Sequence, residues 1–179
     1  VRVGTKSLLF GVHQAFLHPV FVLAAWIRLY GFPSPRELFC ILIHDWGYWG
    51  KPNMDGEEGD RHPEWGAGVA GRLLGEDYKN LILGHSRFYH HKFGTPISRL
   101  YYADKYSHCL EPWWLYLPLA FASGEYYEYR KLHNADEEGF SESKYKGRMG
   151  HSFSKDDSPR EWYRKIQMVM RDLTEGKYP

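Results

Sequence analysis

A histidine and an aspartate stand side by side at His44-Asp45, directly after the apolar run Phe39-Cys40-Ile41-Leu42-Ile43. Further imidazoles and a carboxylate are strung along the chain around them: His13 and His18 upstream, His62, His85 and Asp104 downstream. Imidazole nitrogen and carboxylate oxygen together suit Fe, Mn, Co, Ni or Zn, and the set is large enough to hold two ions. Neighbouring residues on a helix point about 100° apart, so His44 and Asp45 reach one centre only where a helix is ending, and Gly47 is read as that ending. Two divalent transition-metal ions about 3.5–4 Å apart that share a carboxylate can also share a water, whose pKa falls toward about 7. Hydroxide is then supplied at neutral pH as a nucleophile, with no protein nucleophile required.

The elements that must position these residues read as helices. Ser34-Pro35-Arg36-Glu37 is a capping box with proline at the first helical position, and it launches the helix that delivers His44-Asp45. Ser158-Pro159-Arg160-Glu161 repeats the device for a last helix running to about Leu173. An earlier helix is expected from about Pro19 to Tyr30, with Val20, Leu23, Ala24 and Ile27 at helical spacing, Gly31 as its stop and His18 just ahead of its first turn. After a loop rich in Gly, Asp and Glu, Pro63 suits a helix start that would run to Leu74 and carry Ala67, Ala70 and Leu73 inward. Leu81-Ile82-Leu83-Gly84-His85 closes the next helix, and a short aromatic and basic loop leads to one with Asp104 near its middle. Glu111-Pro112 opens another, with Pro118 inside it, that continues through Tyr129. Residues 133 to 157 are polar and rich in Gly and Ser, and read as a loop long enough to be mobile, a lid or an interface arm. No alternation of period two is present, which predicts an all-α fold in one domain. Its metal-binding core spans about residues 13–112, and its C-terminal helices and polar loop span 113–179.

Bulk properties narrow the function classes. The chain has 179 residues and a net charge of +1 from 23 basic and 22 acidic side chains, so no overall field favours nucleic acid or an anionic membrane. Generic nucleic-acid binding is not expected. Cys40 and Cys109 lie far apart in apolar helical contexts and read as reduced core thiols of a cytoplasmic protein. The apolar stretch from Leu8 to Tyr30 is broken by His13, Gln14, His18, Pro19 and Arg28, short of the roughly 18 residues of a membrane span. No targeting segment is read, and a start without methionine leaves a trimmed or partial beginning open. Aromatic residues make up 17% of the chain, with seven Trp and 14 Tyr, enough to line a pocket or a subunit interface as well as fill a core. A homo-oligomer is therefore a possible assembly.

The order His, His-Asp, His, His, Asp resembles the HD-domain superfamily of metal-dependent phosphohydrolases over roughly residues 13 to 112. His44-Asp45-Trp46-Gly47 looks like the HDxG motif, and His62-Pro63-Glu64-Trp65-Gly66-Ala67 is similar to the second-metal histidine motif of two-metal members, including HD-GYP phosphodiesterases. Ile82-Leu83-Gly84-His85-Ser86, then Ser98-Arg99-Leu100-Tyr101-Tyr102-Ala103-Asp104 and Glu111-Pro112, look like the corresponding stretches of small HD hydrolases of diadenosine tetraphosphate. The resemblance implies an HD-type helical bundle in which Asp45 bridges two ions, His44 and Asp104 complete the first site, and His62 and His85 hold the second. The first histidine of the set is His13 or His18; His18, with Val22 and Ala25, matches the family's opening helix, and His13 would then be a pocket residue. Three departures bear on substrate. Tyr48 stands where relatives often carry Lys, Tyr89-His90-His91-Lys92-Phe93-Gly94 does not reproduce the GYP signature, and His85-Ser86 lacks a doubled histidine.

The implied activity is hydrolysis of a phosphoester or phosphoanhydride of a small phosphorylated substrate, a nucleotide or dinucleoside polyphosphate above all. The same ligand set also serves mixed-valent diiron oxygenases of this fold, and a metal-holding regulatory module is a third reading. Phosphate oxygens would be met by Lys51, Arg61, Arg87, Lys92 or Lys105, with Arg87 and Lys105 favoured because each lies within three residues of a proposed ligand, and with Lys51 as the stand-in for the charge missing at Tyr48. His90 and His91 have the imidazole chemistry to protonate a leaving group. Trp46, Tyr48 and Trp49 form either an aromatic wall for a nucleobase or a packing contact with Trp113-Trp114.

Overall fold

Both expected capping boxes form: the Ser34 and Ser158 hydroxyls accept from the backbone N–H of Glu37 and Glu161, whose carboxylates accept in return from the Ser34 and Ser158 backbone N–H groups. The computed structural model describes residues 2–134 and 153–176, and among them every regular element is helical. In order these are α1 (Val3–Phe10), α2 (Leu17–Tyr30), α3 (Pro35–Ile43), 3-10 turns at Trp46–Tyr48 and Gly59–Arg61, α4 (Pro63–Leu74) and α5 (Glu76–Leu83). There follow α6 (Arg87–Phe93), α7 (Arg99–Leu110), α8 (Trp113–Ser123), α9 (Glu125–Asn134) and α10 (Pro159–Thr174). The fold is all-α.

Two apolar clusters hold it together. The first joins Val22, Ala25 and Trp26 of α2 to Cys40 and Ile41 of α3, Ala67 and Ala70 of α4, Ile82 of α5, and Leu100 and Ala103 of α7. The second joins Val12 to Tyr116, Leu117 and Ala120 of α8 and to Trp162, Tyr163, Ile166 and Met170 of α10. α7 packs against both α2 and α10, and Cys109 on it touches both clusters. For α10 the capping box is worth about 1 kcal/mol. Each large side chain it buries is worth about 1.5–3 kcal/mol, so packing of its apolar face decides its position.

Several sequence expectations change. α2 begins at Leu17, so His18 lies inside its first turn, where the missing N–H of Pro19 costs no helical hydrogen bond. The inward face of α4 is Pro63, Gly66, Ala67 and Ala70, and Leu73 is 65% exposed, because the stripe turns past it to Leu74. The aromatic and basic stretch after His85 is the helix α6, ended by Gly94 in the left-handed region at φ 68°. The helix opened at Pro112 does not continue through Tyr129: Gly124 at φ 94° ends α8, and α9 starts afresh at Glu125. Much of the polar stretch 133–157, residues 135–152, lies outside the described residues. Its end is held by Arg130, which donates to the carbonyls of Ser154, Lys155 and Asp157. Among the described residues no helix is long and apolar enough to cross a membrane.

Candidate metal centre

Three of the histidines are set by one local device. The last carbonyls of a helix lack an intrahelical partner, and a histidine just past the end can donate to one of them. His44 Nδ1 donates to Ile41 O at 2.8 Å at the end of α3, His85 Nδ1 to Ile82 O at 2.5 Å at the end of α5, and His62 Nδ1 to Gly59 O at 2.7 Å at the end of the 3-10 turn. A carbonyl only accepts, so each Nδ1 carries a hydrogen, and the bond orients each ring and its Nε2.

The Nε2 atoms converge on Asp45. Its Oδ2 lies 3.3 Å from His18 Nε2 and 3.4 Å from His44 Nε2, while its Oδ1 lies 3.4 Å from both His62 Nε2 and His85 Nε2. Asp104 Oδ1, from the middle of α7, stands 3.1 Å from His18 Nε2 and 3.9 Å from His44 Nε2. Two groups result, His18-His44-Asp45-Asp104 and Asp45-His62-His85, all six residues buried and Asp45 common to both. Gly47 has a different part from the helix stop expected of it. It lies within the first 3-10 turn, and a Cβ there would sit 1.8 Å from His62 O. Gly66 meets Ile43 O in the same way, at 2.8 Å, so the two glycines let the start of α4 lie directly on the His44-Asp45 turn.

The electrostatics fit cations. His44 Nε2 and Asp45 Oδ2 are buried without a hydrogen-bond partner among the described residues. His62 Nε2 and His85 Nε2 approach to 3.0 Å. Burial holds His62 well below the usual imidazole range, so its Nε2 is unprotonated and can serve as a ligand to a cation. Burial would lower His18 too, but Asp104 and Asp45 override it and push it up to about 10. Burial likewise opposes ionisation of Asp45 and Asp104, yet the imidazoles around Asp45, and Lys105 with His18 around Asp104, hold both carboxyls well below the ordinary range. Without ions, a protonated His18 offsets two carboxylates. A metal entering must displace that proton.

His13 is elsewhere engaged. Its Nδ1 donates to Glu125 Oε2 at 2.8 Å, and Glu125, fully buried at the start of α9, also accepts from Val12 N and Ser123 Oγ. Of the two upstream histidines, His18 therefore joins the Asp45 cluster, and His13 lies beside it with its ring 5.2 Å from that of His18. Of the two alternatives, His18 and not His13 is among the residues grouped around Asp45.

A cavity of about 70 Å³ opens on Asp45, His62, His85 and Asp104 and is also lined by Tyr48, Arg87 and Lys105. Tyr48 stacks on the His62 ring at 4.0 Å, and Lys105 Nζ donates to Asp104 Oδ2 at 2.8 Å. Lys51 does not line this cavity. It borders a surface groove with Arg61, Trp46, Trp49 and Trp65 on another side of His62, where Arg61 is paired with Glu64 at 2.8 Å. In that groove Trp46 stacks on Trp65, not on Trp113-Trp114. His90, His91 and Lys92 on α6 are also absent from the cavity wall; His90 donates to Thr95 O, and Lys92 lies over the Phe88 ring. Cys40 and Cys109 are free, and burial pushes both thiols up to about 11, which rules out a thiolate nucleophile at neutral pH.

Asp55 and Asp60 in the wall of the 70 Å³ cavity, and His108 in the wall of a neighbouring one, are residues that sequence reasoning passed over. His108 carried a readable signal, four residues after Asp104 and so on the same face of α7. The two aspartates carried none, since an acidic loop reads as a solvated one. Compared with protein-family models, with curated proteins and with solved structures, the chain matches none of them.

Proposed function

We propose that the protein is a metal-dependent phosphohydrolase acting on a small phosphorylated compound. The observation that carries this reading is the division of Asp45, with one carboxylate oxygen facing His18 and His44 and the other facing His62 and His85. Asp45, His18, His44 and Asp104 would hold one divalent ion, and Asp45, His62 and His85 a second. Bound there, the ions would lower the pKa of water toward about 7 and neutralise charge on phosphoryl oxygens.

The chain's own side chains do the rest. Arg87 and Lys105 line the same cavity as the ligand set and present guanidinium and ammonium donors to phosphate oxygens. Lys105 divides its charge with Asp104, which keeps that carboxylate ionised and aimed. Tyr48, packed flat on His62, fixes that ring and forms the wall along which a substrate enters. Asp45 and Asp104 in this wall would repel a phosphate dianion, so hydrolysis should depend absolutely on added cations.

The test is an anaerobic assay of the manganese-loaded protein on a panel of phosphoesters. Phosphate release should continue without dioxygen and stop on chelation. Turnover seen only with iron and dioxygen would replace hydrolysis by oxygenation, and full metal content with no turnover of any ester would leave a metal-holding regulatory module.

A further inference from the structure

Beyond the metal-side cavity, and sharing the wall of His13, Tyr48, Asp55 and Lys105 with it, lies a second cavity of about 90 Å³. Its far side is built by α8, α9 and α10, through Tyr116, Tyr129, Trp162, Ile166 and Met170. His108 of α7 lines it as well. That imidazole is 8% exposed, its Nδ1 is buried without a hydrogen-bond partner among the described residues, and an edge contact with Tyr116 at 5.8 Å orients the ring. Burial pushes its pKa down to about 3, so at neutral pH it is an uncharged ring with an unmet hydrogen-bonding nitrogen. His108 lines the cavity, so its uncharged imidazole is a hydrogen-bonding group in the wall that a molecule entering there would meet.

Size restricts the occupant. A cavity of roughly 150 Å³ takes benzene, and sites for drug-sized ligands start near 300 Å³. The space beside His108 is smaller than either. We propose that this cavity is the subsite for the organic part of the substrate, and that this part is a short hydroxylated carbon chain whose hydroxyl bonds His108, not a nucleoside. The proposal rests on the phosphohydrolase reading for placing the phosphate beside Arg87 and Lys105. The ester chain then passes between Tyr48 and Lys105. In the reaction the ester P–O bond breaks, a water oxygen bonds to phosphorus, and a proton from that water ends on the leaving oxygen, giving a free polyol and inorganic phosphate.

The probes are glycerol phosphate, propyl phosphate, which lacks the hydroxyls, and adenosine monophosphate, offered to the manganese-loaded protein. A site built to bond a hydroxyl rejects the analogue without it, so kcat/KM for glycerol phosphate should exceed that for each of the others by about tenfold or more. His108→Phe should erase the preference over propyl phosphate with metal content unchanged, and His108→Gln, which keeps a hydrogen-bonding group, should retain it. If His108→Phe does not fold, Met170→Phe, which fills the far wall, should lower kcat/KM for glycerol phosphate by about tenfold. Equal use of the three esters, a preference that survives His108→Phe, or an unchanged kcat/KM for glycerol phosphate in Met170→Phe overturns the subsite. If no ester releases phosphate, the hydrolase reading fails on its own, and calorimetry decides the subsite: glycerol phosphate should bind about tenfold more tightly than propyl phosphate, a margin lost in His108→Phe. Equal binding overturns it.

Discussion

A carboxylate with two oxygens can serve two centres, and Asp45 is placed to do so, with imidazole nitrogens 3.3–3.4 Å away on each side. This asymmetry between a shared and an unshared ligand is measurable. Asp45→Ala should remove nearly all bound metal, while His62→Ala should lower the content from about two ions to about one, since it belongs to the second group alone. Elemental analysis of the purified variants, with helicity checked by circular dichroism, reads the result. Full metal content in folded Asp45→Ala would show that the two groups do not share it.

At the scale of elements, the site exists because helix ends meet. α3, α5 and the 3-10 turn each finish with a histidine whose Nδ1 donates to the carbonyl three residues back, and the close approach at Gly47 brings the third of these against the first. Gly47→Ala would force a Cβ to 1.8 Å from a backbone oxygen, which no side-chain rotation relieves. The expected cost is about 1–3 kcal/mol or more in urea unfolding, together with loss of the metal that the proposed second group, with His62, would bind. Gly68→Ala, on α4 with open space around the new Cβ, should instead stabilise by about 0.5–1 kcal/mol through helix propensity. Equal effects of the two substitutions would show that the approach at Gly47 is not tight.

At the scale of the molecule, α10 is pinned to the junction of α7 and α8: Tyr163 Oη donates to the carbonyls of His108 and Glu111, and Gln167 Nε2 donates to the same two. The Glu111 side chain is buried there. Burial first, and Glu125 in addition, push its carboxyl up to about 7 from an ordinary 4.5, against the pull of His18 and His13. A raised carboxyl pKa means that the unfolded chain ionises first, so stability falls as pH rises from about 4.5 to 7 and stays lowered above that. The gap corresponds to up to about 3 kcal/mol. Glu111→Gln should therefore stabilise the metal-free protein at pH 8 by an amount of that order and leave it nearly unchanged at pH 4, as read from urea titrations at the two values. An identical gain at both would place the Glu111 effect in packing and not in charge.

The all-α class, both capping boxes, the end of α3 at the His44-Asp45 turn and the helical place of Asp104 were legible in the chain alone. All of them depend on residues within a turn or two of each other, where spacing dictates geometry. The His/Asp set was legible as a list, because residue type alone says which atoms can bind a metal. Its selection was not. His18 enters the cluster and His13 does not because Glu125, more than 100 positions away, captures the His13 ring. Lys105 and Arg87 face the cavity while Lys51 borders another groove because the turn at Trp46–Tyr48 carries the chain around His62. The second cavity exists only where α10, at the far end of the chain, closes over α7 and α8. Local pattern determines which face of a helix is apolar and which residues could do chemistry; which nitrogen points at which oxygen is decided by the packing of distant helices.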